Sequence, residues 1–172
     1  MSETRTLHLF RGLPGSGKST RARHLQASAP GTTMLVESDM FFVGHDGVYR
    51  FNRYQRTDAH KWCLQVAVTA MENGVGMVLV PNVFCRLVSM EAYLRAARAN
   101  GYRVLIHTFP TRSAEQHFER NTHGVPITAI YGMLNVFEQT PGPLNDGQPR
   151  DAAEVIEVLS RQRPSPVLSE PA

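Results

Sequence analysis

The chain has 172 residues, 42% of them apolar and 19% charged, enough for one domain with a layered core, too short for two, and too apolar to be disordered throughout. Its net charge of +3 comes almost wholly from arginine, Lys18 and Lys61 being the two lysines; guanidinium groups suit bidentate contact with phosphate, but so small a surplus does not by itself argue for nucleic-acid binding. No apolar run approaches the ~20 residues that span a bilayer, the N-terminus lacks an apolar signal core, and Cys63 and Cys85 have no metal-type spacing, so a cytoplasmic protein with reduced thiols and no membrane association is expected.

In chain order, the strand-like Leu7-His8-Leu9-Phe10 runs into Gly12-Leu-Pro-Gly-Ser-Gly-Lys-Ser-Thr20, which meets the Gly-x-x-x-x-Gly-Lys-[Ser/Thr] pattern at every fixed position and opens a helix from Lys18 to about Ser28. Its glycines let the backbone curl so that N–H groups converge on an anion, and the helix adds its positive end. Leu13, Pro14, Gly15, Ser16, Gly17, Lys18, Ser19 and Thr20 are therefore expected to cradle the phosphates of a nucleotide. Lys18 would reach the β- and γ-phosphates, and the Ser19 hydroxyl would bind Mg²⁺. Pro30-Gly31 ends the helix, and Thr33 to Glu37 reads as a buried strand delivering Ser38-Asp39 at its carboxyl end, where open parallel sheets bind ligands. Residues 40–56 combine five aromatics and three arginines without a period. They read as a flap, with Phe41 and Phe42 packed beneath it and Arg50, Arg53, Tyr54 and Arg56 available to a ligand.

Thr57 to Asn73 is a helix capped by Thr57 or Asp58, with Trp62, Val66 and Ala70 on its inward stripe and His60 more in keeping with a structural than a functional role. Met77 to Val80 is a third strand followed by Pro81-Asn82-Val83-Phe84; Ser89 opens a helix with Tyr93, Leu94 and Ala97 inward; Arg103 to Phe109 is a fourth strand. This alternation predicts an α/β fold with a parallel sheet. Ser113-Ala-Glu-Gln116 has capping-box spacing and starts a short helix carrying His117 and Arg120 on one face. With the loop after it, this helix forms a lid at about residues 112–125 that would bring an arginine to a transferring phosphoryl group. Pro126 begins a helix to about Glu138, residues 140–150 form a linker, and Asp151 to Arg161 a terminal amphipathic helix. One domain over residues 1–162 is expected, followed by a disordered tail over 163–172.

The loop Arg11 to Thr20, the strand end Glu37-Ser-Asp-Met-Phe-Phe42, the flap Gly47-Val-Tyr-Arg-Phe-Asn52, Ala59-His-Lys-Trp-Cys63 and Arg120-Asn-Thr-His-Gly-Val125 together resemble the P-loop kinases related to phage polynucleotide kinase, over roughly residues 6 to 138. The resemblance implies a P-loop NTPase-type parallel sheet flanked by helices, with a short helical lid. It also implies transfer of the γ-phosphoryl group of ATP, with Mg²⁺, to a hydroxyl that is usually the 5′-hydroxyl of DNA or RNA. Asp39 matches the family's aspartate that orients and deprotonates the acceptor, and Arg120 its lid arginine on the phosphates; with Lys18 they form the catalytic set the resemblance implies. The chain departs from the family at the third strand's end, where relatives carry an aspartate that helps organise Mg²⁺ and this chain has Pro81-Asn82-Val83-Phe84. Val83 and Phe84 would give an apolar wall suited to a base taken out of the stack. Some phage members phosphorylate 5-hydroxymethyl pyrimidines within DNA. The expected acceptor is accordingly nucleic acid, DNA ahead of RNA, through the hydroxymethyl group of 5-hydroxymethyluracil or else a 5′-hydroxyl end, with Arg53, Asn82, Phe84 and Arg86 joining Asp39 on the acceptor side and no obligate protein partner. A small-molecule or nucleotide kinase and a non-catalytic nucleotide-binding regulator are the alternatives.

Overall fold

The computed structural model describes residues 4–138 and the backbone of residues 154–158. The four apolar runs become strands β1 (Thr6–Arg11), β2 (Thr33–Leu35), β3 (Met77–Pro81) and β4 (Arg103–Thr108). They are parallel, in the spatial order β2-β3-β1-β4. The register sets Thr6 opposite both Met77 and Arg103, and Phe10 opposite both Pro81 and His107. The chain leaves β1 toward one side of the sheet and later crosses to the other, so a crevice opens at the carboxyl end of this central strand.

Five helices complete the described fold: α1 (Lys18–Ser28), α2 (Arg56–Glu72), α3 (Glu91–Ala99), α4 (Ala114–Arg120) and α5 (Ile127–Val136). The pleat sends alternate strand residues to opposite faces. Leu7, Leu9, Val78, Val80, Val104 and Ile106 pack with Cys63, Ala67 and Met71 of α2 and Tyr93 and Ala97 of α3. On the other face Phe10 and Leu79 pack with Ala22 and Leu25 of α1. Leu13, Ala114 and Ile130 form a smaller cluster that ties the loop after β1 to α4 and α5.

His8 shares the face of β1 that carries Phe10. Its Nδ1 lies 2.9 Å from Nε2 of His107, whose ring stacks on Phe10 at 4.4 Å. Burial, reinforced for His8 by Arg103 and for His107 by His8 itself, lowers both pKa values to about 4, so the pair is neutral at pH 7. Nδ1 of His107 has no hydrogen-bond partner among the described residues.

Two expectations are corrected. Trp62 is not core: it is 36% exposed and tilts against Phe41 at 6.0 Å. The buried stripe of α2 is Ala59, Cys63, Ala67, Ala70 and Met71, mostly small side chains that let the helix lie close to its neighbours, where an indole would not fit. Nor is the segment over Asp151–Arg161 a helix through its centre. Glu154–Val158 forms β5, antiparallel to β4 with Val104 opposite Val158 and Ile106 opposite Ile156. β-Branched Val155, Ile156 and Val158 suit a strand, and pairing covers the edge that β4 would otherwise leave open. The linker expected over 140–150 and the tail over 163–172 lie outside the described residues.

Candidate active site

The loop after β1 curls through two left-handed glycines, Gly15 at φ 73° and Gly17 at φ 97°, the latter serving as the N-cap of α1. Only glycine reaches these angles without strain. Space excludes a side chain at Gly15 as well, since a Cβ there would lie 2.6 Å from the carbonyl oxygen of His117. Leu13 turns its side chain into the cluster with α4 and α5 and offers the loop its backbone alone.

Lys18 follows at the start of α1, buried, its Nζ donating to the Leu13 carbonyl at 2.9 Å and reaching Ser16 Oγ at 3.5 Å. An ammonium has three donors. Burial lowers its pKa to about 8, opposed by the charges of Asp39 and Glu37, so it remains mainly cationic at neutral pH. Ser19 donates its hydroxyl proton to Glu37 Oε2 at 2.6 Å, and the other oxygen of Glu37 accepts from Arg23 Nη2 at 3.1 Å. Glu37, 5% exposed, is a site residue to which the sequence assigned no role, although it ends the second predicted strand and opens the segment Glu37-Ser-Asp-Met-Phe-Phe42.

Two positions on, in a 3-10 turn over Ser38–Phe42, Asp39 faces the opening. Its Oδ1 accepts from the Tyr49 hydroxyl at 3.3 Å, and its Oδ2 lies 3.8 Å from Nε2 of His123. The Tyr49 and His123 rings are 5.6 Å apart, so flap and lid meet above this carboxylate. Desolvation, then the Asp39 charge, pushes the Tyr49 phenol up to about 12, and Tyr49 therefore stays a donor. Asn82 sits beneath. Its Oδ1 accepts from both the N–H and the hydroxyl of Ser38, each at 3.0 Å, and its Nδ2 reaches Cys63 Sγ at 3.4 Å. The amide expected to touch an acceptor is thus buried and committed to holding the turn that carries Asp39.

The lid is joined to the loop. The capping box of Ser113 and Gln116 forms as its spacing predicts and starts α4. One turn on, the fully buried His117 places Nδ1 2.9 Å from the Pro14 carbonyl, while its Nε2 accepts from the Arg112 N–H at 3.0 Å. These partners fix the neutral tautomer with the proton on Nδ1, and burial lowers the pKa. Arg120, the last residue of α4, lines the cavity.

That cavity, 1420 Å³, is shared by Gly15, Lys18, Ser19 and Thr20 on one side and by Asp39, Phe51, Arg53, Arg56, His60 and Phe84 on the other. It exceeds the roughly 300–1,000 Å³ of a site for one small ligand. Arg86 is exposed and outside the lining, and Arg50 is turned to Asp46 at 2.7 Å. Phe42 is buried beneath the flap, 5.0 Å from the Phe51 ring. Phe84 is 8% exposed, packs edge-on against Tyr93 at 5.6 Å, and alone among described non-glycine residues has positive φ, 46°. Its carbonyl accepts from Nε of the buried Arg11 at 3.2 Å; the same guanidinium reaches the Cys85 carbonyl at 3.2 Å and that of Glu138 at 2.6 Å. A left-handed phenylalanine costs on the order of 1–3 kcal/mol, and Arg11 is what pins it there.

The residues fit ATP and Mg²⁺. The loop presents backbone and a buried ammonium to the phosphates, and the Ser19 hydroxyl, its proton already donated, has lone pairs left for a hard cation. Among the described residues there is no group of three or more His, Cys, Asp or Glu that could hold a metal ion. No described helix is long and apolar enough to cross a membrane.

Residues 7–129 match the family model described as an AAA domain. Human NEDD4-binding protein 2 is 32% identical over 136 residues, 77% of this chain, which spans 8% of that protein's length. Among solved structures, a chain of the Pnkp1/Rnl/Hen1 RNA repair complex matches with a TM-score of 0.62 at 17% identity, over 80% of this chain and 45% of that one. Mycobacterium tuberculosis APS kinase CysC, in complex with AMPPNP and APS, matches with a TM-score of 0.56 at 18% identity, over 86% and 92%. At these identities the likeness is one of fold, and the fold is that of kinase-like P-loop proteins.

Proposed function

The chain belongs to the AAA domain family, and from that premise and the geometry of its site we propose that it transfers the γ-phosphoryl group of ATP to a hydroxyl on nucleic acid. The observation that carries the reading is the single cavity in which the phosphate-binding loop and Asp39 face each other, with an aromatic and basic wall beyond. Asp39 accepts the proton of the acceptor hydroxyl as its oxygen bonds to the γ-phosphorus, the bond from that phosphorus to the β,γ-bridging oxygen breaks, and ADP leaves. Lys18 and Arg120 neutralise charge on the phosphoryl oxygens. Mg²⁺, when bound, offsets charge on the β- and γ-phosphates. Tyr49 and His123 hold Asp39 between flap and lid until an acceptor takes their place.

Phe51, 54% exposed, and Arg53 and Arg56 beside it offer stacking and phosphate contacts for a polymer. Val83 and Phe84 line the same cavity and favour an extruded base, so the proposed acceptor is the hydroxymethyl group of 5-hydroxymethyluracil in DNA ahead of a 5′-hydroxyl end. The test is transfer of labelled γ-phosphate to duplex DNA containing 5-hydroxymethyluracil, beside unmodified DNA with 5′-hydroxyl ends and a panel of small alcohols. Label that requires the modified base is the expected result. Label at ends alone would reassign the acceptor within nucleic acid, and label on small alcohols alone would overturn the polymer reading.

A further inference from the structure

Among the described residues two carboxylates line the cavity, Glu37 and Asp39. They stand on either side of Ser38, which Asn82 grips through both its N–H and its hydroxyl. Asp39 is directed to the flap and lid, at Tyr49 and His123. Glu37 is directed to the phosphate-binding loop, taking the Ser19 proton at 2.6 Å on one oxygen and Arg23 at 3.1 Å on the other. A hydroxyl has one proton and two lone pairs. With the proton drawn to Glu37, the oxygen of Ser19 presents only lone pairs elsewhere, the form in which it can ligate a hard cation. A buried carboxylate is costly unless it is paired or serves a metal, and Arg23, whose side chain is 61% exposed, offsets the charge of Glu37 only in part because solvent screens the pair. The end of β3 supplies no carboxylate: Asn82 stands there, turned away to Ser38 and Cys63.

We propose that Glu37 is the carboxylate of the divalent-cation site, setting the orientation of the Ser19 hydroxyl and supplying the negative charge that holds Mg²⁺ beside it. The assignment rests on the reading of the loop as an ATP·Mg²⁺ site and adds to it a division of labour: Glu37 serves the metal and Asp39 the acceptor. Outer partners that orient a metal ligand typically contribute about 10–100-fold in metal affinity.

The test uses Mn²⁺ as the probe, titrated by electron paramagnetic resonance into the full chain saturated with AMPPNP, so that no turnover is needed. E37Q keeps the size and the acceptor oxygen but removes the charge. It is expected to weaken Mn²⁺ about 10-fold or more, while affinity for AMPPNP in EDTA stays within about two-fold of wild type or rises as repulsion is relieved. E37D, which keeps the charge, is expected to bind Mn²⁺ more tightly than E37Q. Wild-type Mn²⁺ affinity in E37Q, equal weakening in E37Q and E37D, or a parallel loss of metal-free AMPPNP would each overturn the assignment, the last by showing a merely structural role. Should these variants behave as expected while the wild type labels no nucleic acid, the acceptor reading falls and the metal assignment stands; a wild type that binds no nucleotide overturns both.

Discussion

At the phosphate-binding end of the cavity the polar groups of the loop and its supports are buried or half-buried and already held: Lys18 by Leu13, Ser19 by Glu37, His117 between Pro14 and Arg112. At the acceptor end the side chains of the flap stand in solvent, while Asn82 and Phe84 beneath them are buried. Phe51 is 54% exposed and Tyr54 79%, and Arg53 stacks on Tyr54 at 4.7 Å. The difference is what the proposed reaction would ask of each end. Groups that stabilise charge on a transferring phosphoryl are most effective when fixed before the reaction, whereas a surface that admits a polymer has to stay open and take its order from the ligand. Asp39 belongs to both ends, rigid through Ser38 and Asn82 and partly exposed beneath Tyr49 and His123.

The contrast can be broken first at Lys18. Replacing it with Met removes the buried cation, and phosphoryl transfer, read as kcat, should fall about 10²–10³-fold while nucleic-acid affinity is unchanged. Acid should loosen the sheet under the same end. The pKa values of His8 and His107 lie near 4 in the fold, below the unfolded value of about 6.5. The unfolded chain therefore takes up protons that the fold refuses: stability is full above pH 6.5 and is lost as pH falls toward 4, by on the order of a few kcal/mol. Urea unfolding across that range checks it, and His107→Phe should flatten the slope.

A smaller effect is expected at the lid. His117→Ala leaves the Pro14 carbonyl and the Arg112 N–H without the imidazole and should cost about 2 kcal/mol of stability. ATP affinity should fall by roughly 10-fold, equivalent to about 1.4 kcal/mol, again without change at the acceptor end. The smallest change should come from the open end itself. Arg53→Ala with Arg56→Ala should weaken DNA binding and reduce the slope of log affinity against log salt by about 2, one per lost phosphate contact, with ATP binding unaltered.

Features written in consecutive residues were legible before the structure. The loop from Gly12 to Thr20, the capping box of Ser113 and Gln116 and the four parallel strands are all local patterns. What was not legible depends on partners distant in sequence. The Ser19–Glu37 bond spans 18 residues, Ser38–Asn82 spans 44 and Pro14–His117 spans 103, and no motif signals any of them. Trp62 shows a different limit. Periodicity finds the inward side of α2 to within a residue, but the choice between Trp62 and Cys63 is made by how close the helix lies to its neighbours. The strand Glu154–Val158 was misread because a short run of apolar and charged residues satisfies both helical and extended patterns, and the open edge of β4 settles the matter.

The central claim is that donor and acceptor ends are separable and meet at Asp39. It is tested most directly by measuring ATP affinity and phosphoryl transfer to 5-hydroxymethyluracil DNA side by side in Asp39→Asn. The account predicts ATP affinity within about two-fold of wild type and transfer reduced by about 10²–10⁴-fold. Transfer retained at the wild-type rate, or ATP affinity lost in proportion to it, would contradict the account.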